Sequence, residues 1–91
     1  LLDAAHRAAA PHIYATLHAA VSKSQEMTPA QLKAWVTAEV ERNPLLKVIY
    51  YQSVDARTMQ EVATWDDSPR IQGCIAVQAG DIRLIDNICI R

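Results

Sequence analysis

The hydrophobic pattern of this chain changes character once, at Asn43-Pro44. Before that point an Ala-rich stretch repeats its apolar residues at helical spacing. After it, Ile and Val dominate and alternate with polar residues, as in strands. Helices first and strands after predict an α+β fold, not alternating α/β. The expected architecture is two N-terminal helices, the first kinked or broken at Pro11. They pack on a small three-stranded, largely antiparallel sheet that ends in a β-hairpin. With no internal repeat and no Gly/Ser linker, residues 1–91 read as one domain.

Composition narrows the classes. The chain is 51% apolar and carries a net charge of -1, which excludes a disordered tail and argues against nucleic acid or an anionic membrane as partner. No apolar run approaches the ~20 residues of a membrane span. A first residue of Leu rather than Met is expected for part of a longer protein. Cys74 and Cys89 lack partners at zinc-ligand spacing and read as free thiols of a cytoplasmic protein.

The first helix is expected to start at the N-cap Asp3, with Leu2, His6, Ala9, Ile13, Leu17 and Val21 on one stripe. Pro11 removes a backbone donor inside that pattern and is tolerated only if a new helix starts there. The second helix has the strongest local signal. In "MTPAQL", Thr28 and Gln31 form a capping box around Pro29, and Met27 can staple against Leu32. Leu32, Trp35, Val36 and Val40 form its buried stripe, and Asn43-Pro44 is expected to end it.

Strands are predicted over 47–54, 70–79 and from Ile82 on. Asp55 caps a turn through Thr58, and residues 60–69 form a loop with an acidic tip. If Gly80-Asp81 is a two-residue turn, Ala79 pairs with Ile82, Val77 faces Leu84 and Ile75 faces Asp86. Alternation then puts Asp86 in the apolar layer, while Arg83, Ile85, Asn87, Cys89 and Arg91 point the other way. Three roles are open to Asp86: a structural carboxylate held by backbone N–H groups or an arginine, a ligand contact, or a general acid or base. The first is favoured because buried acids are normally paired. On that reading, Asp86→Ala costs ~1–3 kcal/mol through its unpaired partners.

His6, His12 and His18 recur every six residues and do not share a helix face, which argues against a metal site. Asp66-Asp67 reads as a solvated loop tip. Trp35 reads as core, and Trp65 as a cap over an apolar patch or part of an interface. No glycine-rich loop cradles a phosphate, and no nucleophile–base pairing stands out.

Three stretches carry a resemblance. "AVQAGDIRLIDNI" resembles the C-terminal signature of the pantothenate synthetase (pantoate–β-alanine ligase) family at Ala76, Gly80, Arg83, Leu84, Ile85, Asp86 and Asn87. "VIYYQSVDARTM" is similar to the family's strand and turn at Tyr50, Val54, Asp55 and Thr58, although Ile49 replaces an Asp and Met59 a Leu. "RAAAPHIYATL" matches a family helix at Arg7, Ala10, Tyr14 and Leu17. The resemblance implies an enzyme that joins pantoate to β-alanine with ATP and Mg²⁺ through a pantoyl adenylate. The family's His-x-Gly-His and Ser-Ser-Arg-Asn motifs do not occur in this chain. They belong to an N-terminal Rossmann-like domain and its junction, so the chain is expected to be the C-terminal lid domain alone. Arg83, Asp86, Asn87, Asp55 and Thr58 are then family-motif residues with structural roles, and no residue here is expected to be catalytic, to bind substrate or to bind metal. The rival readings are a non-catalytic α+β binding or oligomerisation module and, less favoured, a stand-alone enzyme.

Overall fold

The computed structural model describes residues 2–91; Leu1 lies outside that range. Three helices, α1 (Ala4–Ala9), α2 (Pro11–Lys23) and α3 (Pro29–Val40), precede strands β1 (Leu46–Asp55), β2 (Ile71–Ala79) and β3 (Ile82–Cys89). The sheet is antiparallel throughout, in the order β1-β2-β3. The expected α+β fold is therefore the one observed.

Local chemistry accounts for the helix ends. The Asp3 carboxylate accepts the His6 backbone N–H at 2.8 Å and opens α1. The helical segment bends at Ala10, whose backbone stays helical at φ -55° and ψ -40°, and Pro11 takes the first position of α2, where its missing N–H costs nothing. Thr28 and Gln31 form the capping box of α3 in both directions, at 3.2 and 3.0 Å. The helix stops at Val40, short of Asn43-Pro44. Its last turn tightens through bonds from Arg42 N to Glu39 O and from Asn43 N to Val40 O, so Pro44 meets a chain that has already left the helix.

The core lies between the helices and one face of the sheet. Ile13, Leu17 and Ala20 of α2 and Leu32, Val36 and Val40 of α3 pack with Leu46, Tyr51, Ile71, Ile75, Val77 and Ala79. Trp35 is not part of this interior. It is half-buried at the core's edge, with the Lys23 ammonium 5.6 Å from its ring centroid. Polar groups on the helical side are tied down as well: His12 Nε2 meets the Glu39 carbonyl at 2.7 Å, bridging α2 and α3.

The hairpin register is the expected one: Ala79 pairs with Ile82, Val77 with Leu84, and Ile75 with Asp86. Gly80 sits in the turn at φ 62°, a conformation that suits glycine. β1 departs from regular alternation. A bulge between Val48 and Tyr50 makes Ile49 an extra residue, 46% exposed. Pairing then puts Tyr50 opposite Ala76 on the outer face and Tyr51 opposite Ile75 on the inner face.

Candidate functional site

The turn after β1 is held by two side chains, chiefly Asp55, with Thr58 Oγ1 accepting the Gln60 N–H at 3.3 Å. Asp55 Oδ1 accepts the backbone N–H groups of Arg57 at 2.7 Å and Thr58 at 2.9 Å, while its own carbonyl accepts from Met59 N at 2.8 Å. The backbone bond from Thr58, with help from Ser68 and Arg57, holds the Asp55 carboxyl below its ordinary range. Met59 closes the turn at φ 62° with its side chain exposed, outside the core. Asp55, Ala56, Arg57, Ser68, Pro69 and Arg70 line an open groove of about 600 Å³. Its one carboxylate is already occupied as a turn cap.

The other motif residues lie elsewhere. Arg83 and Asn87 are exposed on the outer face of β3. Asp86 faces the inner layer, half-buried opposite Ile75, and its Oδ1 accepts the Asn87 backbone N–H at 2.8 Å. Among the described residues no arginine or lysine pairs with it. Asp55 pairs with Ile71 at one end of β2, and Arg83 with Gln78 near the other. At ~3.3 Å per residue, roughly 23 Å of strand separates them. The five residues therefore do not converge on one site.

The remaining candidates are accounted for locally. The three histidines point to separate partners: His6 to Asp3, His12 to Glu39 and His18 toward the Tyr14 ring. Asp67 is more than a loop tip. It accepts the backbone N–H groups of Ala63 and Thr64 and the Thr64 hydroxyl, bonds that lower its pKa. Trp65 is a cap: half-buried against the core, it donates its indole N–H to the Met27 carbonyl. Arg91 is not an outward strand residue. The chain leaves β3 after Cys89, and the Arg91 guanidinium turns back over Trp65 at 4.8 Å and bonds Ser24 Oγ and O. Nothing in the local spacing signals that strut, which joins residues 67 apart. Cys74 and Cys89 are free and sit diagonally on the outer face.

The described residues include no group of three His, Cys, Asp or Glu able to hold a metal ion. Nor do they offer a glycine-rich loop at a helix start for nucleotide phosphates. No described helix is long and apolar enough to cross a membrane.

A family model described as pantoate-beta-alanine ligase matches residues 1–89. The chain belongs to this family. It is 37% identical over 87 residues to a pantothenate synthetase from Porphyromonas gingivalis, covering 96% of this chain and 31% of that protein. The pantothenate synthetase of Bacteroides thetaiotaomicron is also 37% identical, with the same coverage. In fold, the chain is similar to the crystal structure of pantothenate synthetase from Thermus thermophilus. The TM-score is 0.84 at 23% identity, over 98% of this chain and 32% of that one. The chain thus spans about a third of the length of the ligases it matches.

Proposed function

We propose that this chain is the C-terminal lid domain of a cytoplasmic pantoate–β-alanine ligase and supplies none of the reacting groups. The parent enzyme condenses pantoate with β-alanine at the expense of ATP. A pantoate carboxylate oxygen attacks the α-phosphorus and releases pyrophosphate. The β-alanine amine then attacks the acyl carbon and releases AMP. ATP, Mg²⁺ and both substrates are held by the N-terminal Rossmann-like domain. The lid's contribution is closure: a mixed anhydride hydrolyses if water reaches it, and a small rigid module that folds over the site keeps water out.

The observation that carries this reading is coverage. The match to the ligase family runs over residues 1–89, yet the chain spans 31% of a full relative. The placement of Asp55 and Arg83 near opposite ends of β2, with Asp55 spent on capping its own turn, supports it.

The test is ATP-dependent AMP release with pantoate and β-alanine, measured for the parent protein and for the 91-residue chain. Turnover is expected from the parent only. Turnover by the chain alone at enzyme-level concentrations overturns the lid reading. So does a parent without His-x-Gly-His and Ser-Ser-Arg-Asn upstream of Leu1.

A further inference from the structure

The sheet has one face under the helices and one that lies open except at Val54, which is buried at its Gln72 end. On the uncovered face, β1 presents Lys47, Ile49 and Tyr50, β2 presents Cys74 and Ala76, and β3 presents Arg83 and Ile85. Ala76 is fully buried between its cross-strand neighbours Tyr50 and Ile85. Ile85 is 66% exposed and Ile49 46% exposed, which leaves an apolar ridge open to solvent at the centre of the face. Its two cations, Lys47 and Arg83, are both exposed, and no outward residue of the three paired strands between Lys47 and Cys89 is a carboxylate.

We infer that this face, centred on Ile85 and Arg83, is the surface with which the lid closes on the catalytic domain of the same ligase, against a rim that carries negative charge. The inference rests on the lid reading and adds which side of the lid closes. Two arguments select the occupant. Lys47 and Arg83 share the cross-strand row through Gln78, so a second copy docking with its two-fold along the strands sets these cations against each other, and one docking with its two-fold across them offers the uncharged Val54, Gln72 and Cys89; in neither case does an outward strand residue supply a carboxylate. The face is also small. Three strands of about eight residues span roughly 14 by 26 Å, well short of the ~800 Å² per partner of a stable free complex. Such an area suffices only for a tethered partner at high effective concentration, and it releases again readily. Reversible docking is what a lid needs in every cycle.

Cys89 is an exposed native reporter on this face, and half-buried Cys74 is an internal comparison whose thiol is pushed up in pKa by burial. In the full-length parent, alkylation of Cys89 by iodoacetamide is followed by peptide mass spectrometry, with and without ATP and pantoate. We expect the rate to fall about fivefold or more on adding substrates, as closure protects the face. Ile85→Asp should lower kcat/KM about tenfold or more, as loss of a central apolar contact does. Circular dichroism checks that the variant folds; should it not, Arg83→Glu replaces it. An unchanged Cys89 rate in a parent that turns over normally overturns the inference, as does wild-type kinetics in a folded variant. A parent that makes no pantothenate at all overturns the lid reading itself, so the two failures are told apart by the wild-type assay.

Discussion

Trp65 donates its indole N–H to the Met27 carbonyl at 2.7 Å, linking the loop before β2 to the residue that precedes the N-cap of α3. On its other side the ring carries the Arg91 guanidinium, which also bonds Ser24 at the end of α2. One side chain thus gathers a loop, two helix ends and the last residue. Trp65→Phe keeps the ring and loses the hydrogen bond, which should cost ~1 kcal/mol. Trp65→Ala also opens the core's edge and should cost about 2–4 kcal/mol. Urea melts followed by circular dichroism check both values. Equal losses for the two variants would mean that the ring contributes nothing.

Gly73 and Tyr51 are coupled across the β1–β2 pair. A Cβ on Gly73 would lie 2.6 Å from the Tyr51 hydroxyl and 3.3 Å from Ile90. That hydroxyl is buried and shares a 3.2 Å hydrogen bond with Ser53, itself 2% exposed. Gly73→Ala should therefore cost about 1–3 kcal/mol through overpacking. Tyr51→Phe should cost ~1 kcal/mol by leaving Ser53 unpaired. The double variant should lose less than the sum of the two, because removing the hydroxyl makes room for the methyl group. Strict additivity in a double-mutant cycle would refute the contact.

Acid should weaken the turns before the core. Asp3, Asp55 and Asp67 each accept backbone N–H bonds that lower their pKa below the ordinary 3.8. A lowered folded pKa means that the unfolded chain binds protons first. The stabilisation is therefore complete above the ordinary value and is lost as pH falls through the lower folded values. Thermal melts from pH 6 downward should hold steady to about pH 5 and then decline. In Asp55→Asn/Asp67→Asn the decline should be shallower, since two of the three carboxylates no longer titrate.

Much of the fold was legible because its signals are local. The Thr28–Gln31 capping box, the Pro11 restart and the Gly80-Asp81 turn each need only a few neighbouring residues, and the turn then dictates the whole hairpin register. The bulge at Ile49 was not legible, because an apolar residue there suits a regular strand equally well; only its pairing with β2 reveals the extra residue. The Arg91 strut depends on tertiary contacts between residues far apart in sequence. The alternation that placed Ile90 inward also placed Arg91 outward, but past Cys89 the regular ladder ends, the N–H groups of Ile90 and Arg91 both meeting the Ile71 carbonyl. Of the motif residues, Asp55 could be assigned its turn from sequence, whereas the separation of Asp55 from Arg83 required the sheet.

Asp86 is where structure most changes the expectation. A paired, buried carboxylate would be costly to remove, but this one is half-buried and its bond is to the N–H of the next residue. Asp86→Ala should therefore fall at or below ~1 kcal/mol, the lower end of the sequence-based range. Asp86→Val goes further. It places a β-branched side chain in the apolar layer opposite Ile75, and should raise stability by about 0.5–1 kcal/mol. Urea melts of the 91-residue chain measure this directly. A loss above about 2 kcal/mol in both variants would show that the carboxylate anchors more of β3 than its single bond accounts for. If both variants are stable yet slow the parent ligase, the residue serves the closed enzyme, since folding alone would then not require its charge.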